Sequence, residues 1–152
     1  MKSQARVVVV GGGVVGVATL YQLARQGWSD VVLVERNELT SGSTWHAAGL
    51  LPLFNMSYSV GQIHKHSVEL YQGLEAETGQ AVGFSKVSNI RLAMNQDRMD
   101  EYHQYAGVAK TIGVQVEFLT PAQVLEIWPL CNIDGLVGAI QHPDDGYIQP
   151  AD

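Results

Sequence analysis

The sequence predicts an α/β fold that begins with a parallel strand–helix–strand unit. Three observations predict it. Residues 6–10 carry four consecutive valines, short and β-branched, the pattern of a strand buried on both faces of a parallel sheet. A turn of closely spaced glycines follows at once. A second apolar run, Val31-Val32-Leu33-Val34, then ends on the acid Glu35.

The turn reads Gly11-Gly12-Gly13-Val14-Val15-Gly16, with glycine at the three positions of G-x-G-x-x-G. Gly11 allows the tight turn, Gly13 lets the backbone approach a pyrophosphate, and Gly16 lets the following helix pack closely on the strand. That helix is predicted over 14–26, with Ala18, Leu20, Leu23 and Ala24 able to face the sheet and Gly27 as its stop. A helix start offers unpaired N–H groups and a positive dipole end, so the amides of Val14 and Val15 are the expected diphosphate donors. Glu35 lies 19 residues past Gly16, where an acid accepts from a ribose hydroxyl and repels a 2′-phosphate. Strand, turn, helix, strand and acid together give a dinucleotide-binding unit; the alternative is a glycine-rich turn that binds nothing.

The fingerprint alone does not separate FAD from NAD. A plain NAD-binding domain would start another strand–helix repeat soon after Glu35. Here Arg36 leads instead into a stretch rich in Gly, Ser, Thr and Ala, including Gly42-Ser43-Thr44-Trp45-His46-Ala47-Ala48-Gly49-Leu50. Small residues permit close approach to a large flat ligand, and the Ser43 and Thr44 hydroxyls can reach phosphate or ribitol oxygens.

Positions 34–50 (VERNELTSGSTWHAAGL) resemble the dimethylglycine/sarcosine dehydrogenase family, one branch of the D-amino-acid-oxidase-like flavoproteins. The resemblance continues through LYQGLEAETG at 70–79, SNIRLA at 88–93, TPAQVLEIWP at 120–129 and GLVGAIQHPDDGYIQP at 135–150, and so covers nearly the whole chain. It implies FAD as cofactor, held by residues 11, 13–16, 35, 36 and 42–50. It also implies a covalent link from His46 to the 8α-methylene of the isoalloxazine; a neutral imidazole nitrogen is a competent nucleophile. The bland alternative has His46 only packing along the flavin.

The implied reaction is oxidative demethylation of a small N-methyl amino acid, dimethylglycine or sarcosine, by hydride transfer to flavin. The product hydrolyses to formaldehyde or is captured by tetrahydrofolate, and electrons leave to an electron-transfer flavoprotein or to oxygen. Three other readings stand beside it: a noncatalytic regulatory relative, a glycine oxidase-like enzyme with noncovalent FAD, and an NAD-dependent dehydrogenase. A substrate carboxylate needs a cation, and Arg91 comes into question, but a strand arginine beside Leu92 and Ala93 is more often structural. The catalytic groups are expected downstream of this chain.

Beyond the loop, the pattern predicts a helix over 59–77, a strand over 87–94, a helix over 96–112, a strand over 114–119, a short helix over 121–128 capped by Thr120, and a strand over 136–141. The resemblance implies domains at 1–82 (FAD-binding, N-terminal part), 83–146 (the start of an antiparallel-sheet substrate domain, incomplete) and 147–152 (a return towards the FAD domain). Such flavoproteins are interleaved, so the chain is expected to be an N-terminal piece that alone binds FAD poorly and is inactive.

Other histidines carry less. His64 and His66, at i, i+2, point to different faces of a helix and do not suggest a metal site; His103 is expected to be solvated. His142 could face a substrate cavity, and Asp144-Asp145-Gly146 reads most simply as a turn. No Cys/His spacing suits zinc, and Cys131 is the only cysteine. Net charge is −6, with no basic patch for nucleic acid, and no apolar stretch is long enough to span a bilayer. Neither a signal peptide nor a presequence is expected before Arg6. The expected compartment is therefore the cytoplasm, or the mitochondrial matrix if a presequence was trimmed.

Overall fold

A computed structural model describes residues 4–150. Ala151 and Asp152, the end of the stretch expected to return towards the FAD domain, lie outside the described residues. The described residues gather into two compact units, one ending at Ala48 and the other beginning at Gly49.

The first unit holds β1 (Val7–Val10), α1 (Val14–Arg25) and β2 (Val31–Val34). β1 and β2 pair in parallel, Val7 opposite Val31 and Val10 opposite Val34. α1 packs on both strands. It ends in a complete Schellman motif: Trp28 N–H donates to the Leu23 carbonyl and Gly27 N–H to that of Ala24, with Gly27 at φ +84°. The expectation that β1 is buried on both faces is corrected. Val8 is 53% and Val10 82% exposed, because the sheet has two strands and a single helix covers one face.

The second unit holds β3 (Leu50–Leu51), α2 (Tyr58–Thr78), β4 (Ser85–Lys86), β5 (Asn89–Ala93), α3 (Gln96–Ile112), β6 (Glu117–Leu119), α4 (Pro121–Ile127), β7 (Gly138–His142) and β8 (Gly146–Tyr147). Two antiparallel sheets form, ordered β3-β8-β4 and β5-β7-β6. The strand expected over 87–94 forms as β5, which starts at Asn89; Val87 and Ser88, the latter at φ +70°, separate it from β4. Thr120 caps α4 in a capping box closed by Gln123. The main core joins Tyr102, Tyr105, Ala109 and Ile112 of α3 to Val68 of α2, Ala93, Ile140 and Leu53. α2 therefore packs with α3 and the sheet elements of the second unit.

Candidate functional site

The glycine turn closes as its sequence requires. Gly11 sits at φ +109°, a conformation that disfavours side chains, and nothing lies within 4 Å of where a Cβ would stand. A methyl at Gly16 would sit on the Gly11 carbonyl oxygen, so only hydrogen lets α1 start there. Gly12, a free position in the motif, is also constrained: a Cβ would strike the Leu39 side chain and crowd that of Glu35.

Glu35 is engaged more fully than its position alone suggests. Oε2 accepts from Gly12 N–H at 2.6 Å, and Oε1 accepts from Arg36 N–H at 2.7 Å and Asn37 N–H at 2.9 Å. The Gly12 amide, then that of Asn37, holds the carboxyl below its ordinary value. An ionised carboxylate offers about four lone-pair positions, so three donors leave one for a ligand hydroxyl.

The Gly/Ser/Thr stretch folds back onto the turn. Thr40 N–H donates to the Gly12 carbonyl at 3.0 Å. Thr40 takes φ +64°, a costly conformation for a β-branched residue. The Thr44 hydroxyl accepts from Val14 N–H at 3.0 Å. The Val14 amide, expected to face a phosphate directly, is thus capped by Thr44, whose own O–H remains able to donate onwards.

Thr44–His46 form one 3-10 turn, preceded by Ser43 and closed by Ala47 N–H on the Thr44 carbonyl. Trp45 Nε1–H donates to the Ser41 carbonyl at 3.1 Å, and the two rings of Trp45 and His46 lie 3.9 Å apart between centroids. His46 Nδ1 lies 3.1 Å from the Gly42 carbonyl. A carbonyl only accepts, so in the neutral ring Nδ1 carries the hydrogen and the lone pair sits on Nε2. Of the other expected site residues, Arg36, Gly42, Ser43 and Ala48 are exposed in the first unit. Gly49 and Leu50 belong to the second: Gly49 takes φ +71° and its carbonyl accepts from Ile148 N–H, while Leu50 opens β3 opposite Tyr147.

These residues fit a dinucleotide cofactor. The open side of Gly11, the exposed first turn of α1 at Val14 and Val15, the Thr44 hydroxyl and the remaining Glu35 position supply what a diphosphate and a ribose require. The sequence profile of the family described as "FAD dependent oxidoreductase" matches residues 6–152. The chain belongs to this FAD-dependent oxidoreductase family.

Membership decides between the two nucleotides: the cofactor of the family is FAD, and the NAD-dependent reading falls. The chain is 42% identical over 149 residues to mitochondrial dimethylglycine dehydrogenase of Rattus norvegicus, covering 98% of this chain and 17% of that protein. It is 41% identical over 152 residues to mitochondrial sarcosine dehydrogenase of Homo sapiens, covering 99% and 17%. Among solved structures, L-proline dehydrogenase from P. horikoshii superposes with a TM-score of 0.90 at 26% identity, over 99% of this chain and 40% of that one. The chain thus spans about a sixth of the length of these curated relatives.

Within this family member, the second unit holds a buried polar cluster that the sequence did not announce. Asp145 is 2% exposed; its Oδ1 accepts from Leu53 N–H at 2.9 Å, while Oδ2 is buried without a partner. Tyr105 O–H donates to the Leu53 carbonyl at 3.2 Å, and His142 Nε2 lies 3.0 Å from the same hydroxyl oxygen. Burial pushes Asp145 up to about 6 and Tyr105 up to about 12, and burial, followed by the Arg91 charge, pushes His142 down to about 4. His142 is therefore buried in the core of the second unit, and Asp145 does more than make a turn. Arg91 spreads over the Phe54 ring at 4.3 Å, in keeping with a packing role. His103 is exposed and stacks on Phe118. Among the described residues no group of three or more His, Cys, Asp or Glu could hold a metal, and no helix is long and apolar enough to cross a membrane.

Proposed function

We propose that the chain is the FAD-holding N-terminal part of an amine oxidoreductase that demethylates a small N-methyl amino acid, dimethylglycine or sarcosine. One observation carries the reading: the loop bearing His46 is hydrogen-bonded to the nucleotide turn at both ends, through Thr40 to Gly12 and through Thr44 to Val14. In this reading the α1 N-terminus and the Thr44 hydroxyl bind the diphosphate, and Glu35 accepts from the adenosine ribose. Gly42, Ser43, Ala47 and Ala48 supply the close-approach wall. His46 bonds covalently to the flavin through Nε2, the nitrogen its contact with Gly42 leaves free. The chemistry supplied by bound flavin is two-electron oxidation of the N-methyl carbon, with the one-carbon product released as formaldehyde or passed to tetrahydrofolate.

The substrate rests on likeness to the two curated relatives, as does an electron-transfer flavoprotein as acceptor. Their names carry the word mitochondrial, which supports the matrix over the cytoplasm. In the completed protein, residues 1–82 contribute to the FAD domain, 83–146 start the substrate domain, and 147–152 lead back. Two measurements on the full-length holoprotein test this. Acid precipitation leaves the yellow colour with the protein if the link to His46 exists. Dimethylglycine or sarcosine drives dye reduction if the substrate class is right. Complete release of flavin removes the covalent link and favours a noncovalent, glycine oxidase-like arrangement; bound flavin without amine-dependent reduction favours a noncatalytic relative.

A further inference from the structure

We propose that Trp45 is a positioning residue for covalent attachment at His46, an inference that rests on the reading of His46 as the flavin-bearing residue. Neighbouring side chains in a 3-10 turn leave the axis about 120° apart, so adjacent rings do not stack by default. Here the Trp45 and His46 rings nevertheless meet, tilted at 38° with 3.9 Å between centroids. Each is drawn back by a hydrogen bond to a carbonyl four residues earlier, Trp45 to Ser41 and His46 to Gly42, and those carbonyls are consecutive. The turn is itself fixed by Trp45 N–H on the Thr40 carbonyl and Thr40 N–H on that of Gly12.

The indole therefore lies against the imidazole and restricts its rotation. The Gly42 carbonyl commits Nδ1 as a donor. One lone pair remains, on Nε2, pointing in one direction. A nucleophile held this way meets a bound electrophile in reactive geometry, whereas a free exposed ring reaches it in a small fraction of encounters. Trp45 is itself half exposed, so its ring is supported by these contacts and not by a surrounding core.

The attachment balances with dioxygen as oxidant. One C–N bond forms between Nε2 and the methyl carbon on C8 of the isoalloxazine. One methyl C–H and the imidazole N–H break. The two electrons pass through the isoalloxazine to dioxygen, which takes both protons and becomes hydrogen peroxide.

The test is a time course of acid-stable flavin in the full-length apoprotein mixed with FAD in air, beside its noncovalent affinity from fluorescence quenching at early times. Trp45→Phe, which keeps a flat ring, is expected to attach flavin within a few-fold of the parent rate. Trp45→Ala, and Trp45→Leu, which keeps apolar bulk without a flat face, are expected to attach it about ten- to hundredfold more slowly at saturating FAD, a loss greater than any fall in noncovalent affinity. Parent-like attachment in both Ala and Leu variants overturns the proposal. So does an equal loss of affinity and rate, which marks a merely structural residue. A parent protein that attaches no flavin instead removes the reading of His46 itself, a result visible before any variant is made.

Discussion

Glu35 receives three backbone N–H groups, and that number sets what a ligand can ask of it. Glu35→Gln exchanges one acceptor oxygen for a donor, which faces the Gly12 or the Arg36 and Asn37 amides badly. FAD affinity is expected to fall about tenfold, read by titrating apoprotein with FAD. Because the folded carboxyl is held below its ordinary value, its support for the turn is present above the ordinary carboxylate range and lost as pH falls through the depressed value. Asp145 and His142 oppose one another. The Asp145 value of about 6 lies above the ordinary 3.8, so its neutral form suits the fold and its contribution is lost as pH rises through 6. The His142 value of about 4 lies below 6.5, so its contribution is complete above 6.5 and lost as pH falls towards 4. Asp145→Asn keeps the acceptor for Leu53 N–H and removes the first titration. Relative to the parent, the variant is expected to gain about 2 kcal/mol between pH 4.5 and pH 8 in urea unfolding. An unchanged difference between the two pH values would sink the assignment of a raised carboxyl.

At the scale of elements, two glycines bracket α1 for different reasons. A methyl at Gly16 meets the Gly11 carbonyl, so Gly16→Ala must push helix from strand; a loss of about 1–3 kcal/mol or more is expected, with FAD binding lost alongside. Gly27 meets nothing within 4 Å, and its requirement is the φ of +84° alone. Gly27→Ala is expected to cost about 1–2 kcal/mol and to spare FAD binding. Thermal unfolding together with FAD titration of the two variants separates close approach from backbone conformation. In the second unit Thr120→Ala, which opens the capping box of α4, is expected to cost about 1 kcal/mol.

At the scale of the molecule, the parallel sheet has two strands and leaves Val8 and Val10 largely in water. Such a sheet is marginal without further strands or a second covering layer. The 152-residue chain by itself is therefore expected to hold FAD at far below one equivalent and to reduce no dye with either amine. Stoichiometric flavin with amine-dependent turnover from this chain would overturn that. The measurement also bears on the proposed division at 82 and 146, which assigns the missing cover to later sequence.

Local signals were legible: the valine runs, the spacing of Gly11, Gly13 and Gly16, the Gly27 stop, the Gln96–Ile112 helix and the Thr120 cap each depend on residues a few positions apart. Two-residue strands such as β3 and β8 are too short to carry a period, and they escaped notice. By itself the sequence determined the nucleotide unit, the family and the residue, His46, on which the flavin reading turns. Only the tertiary structure decided that Thr44 caps α1, that Gly12 is packed against Glu35 and Leu39, and that Asp145 is buried on Leu53, 92 residues away. Caps and helical turns are set by neighbours in the chain. Partners so far apart are chosen by the register of folded sheets and loops, and no local pattern records that choice.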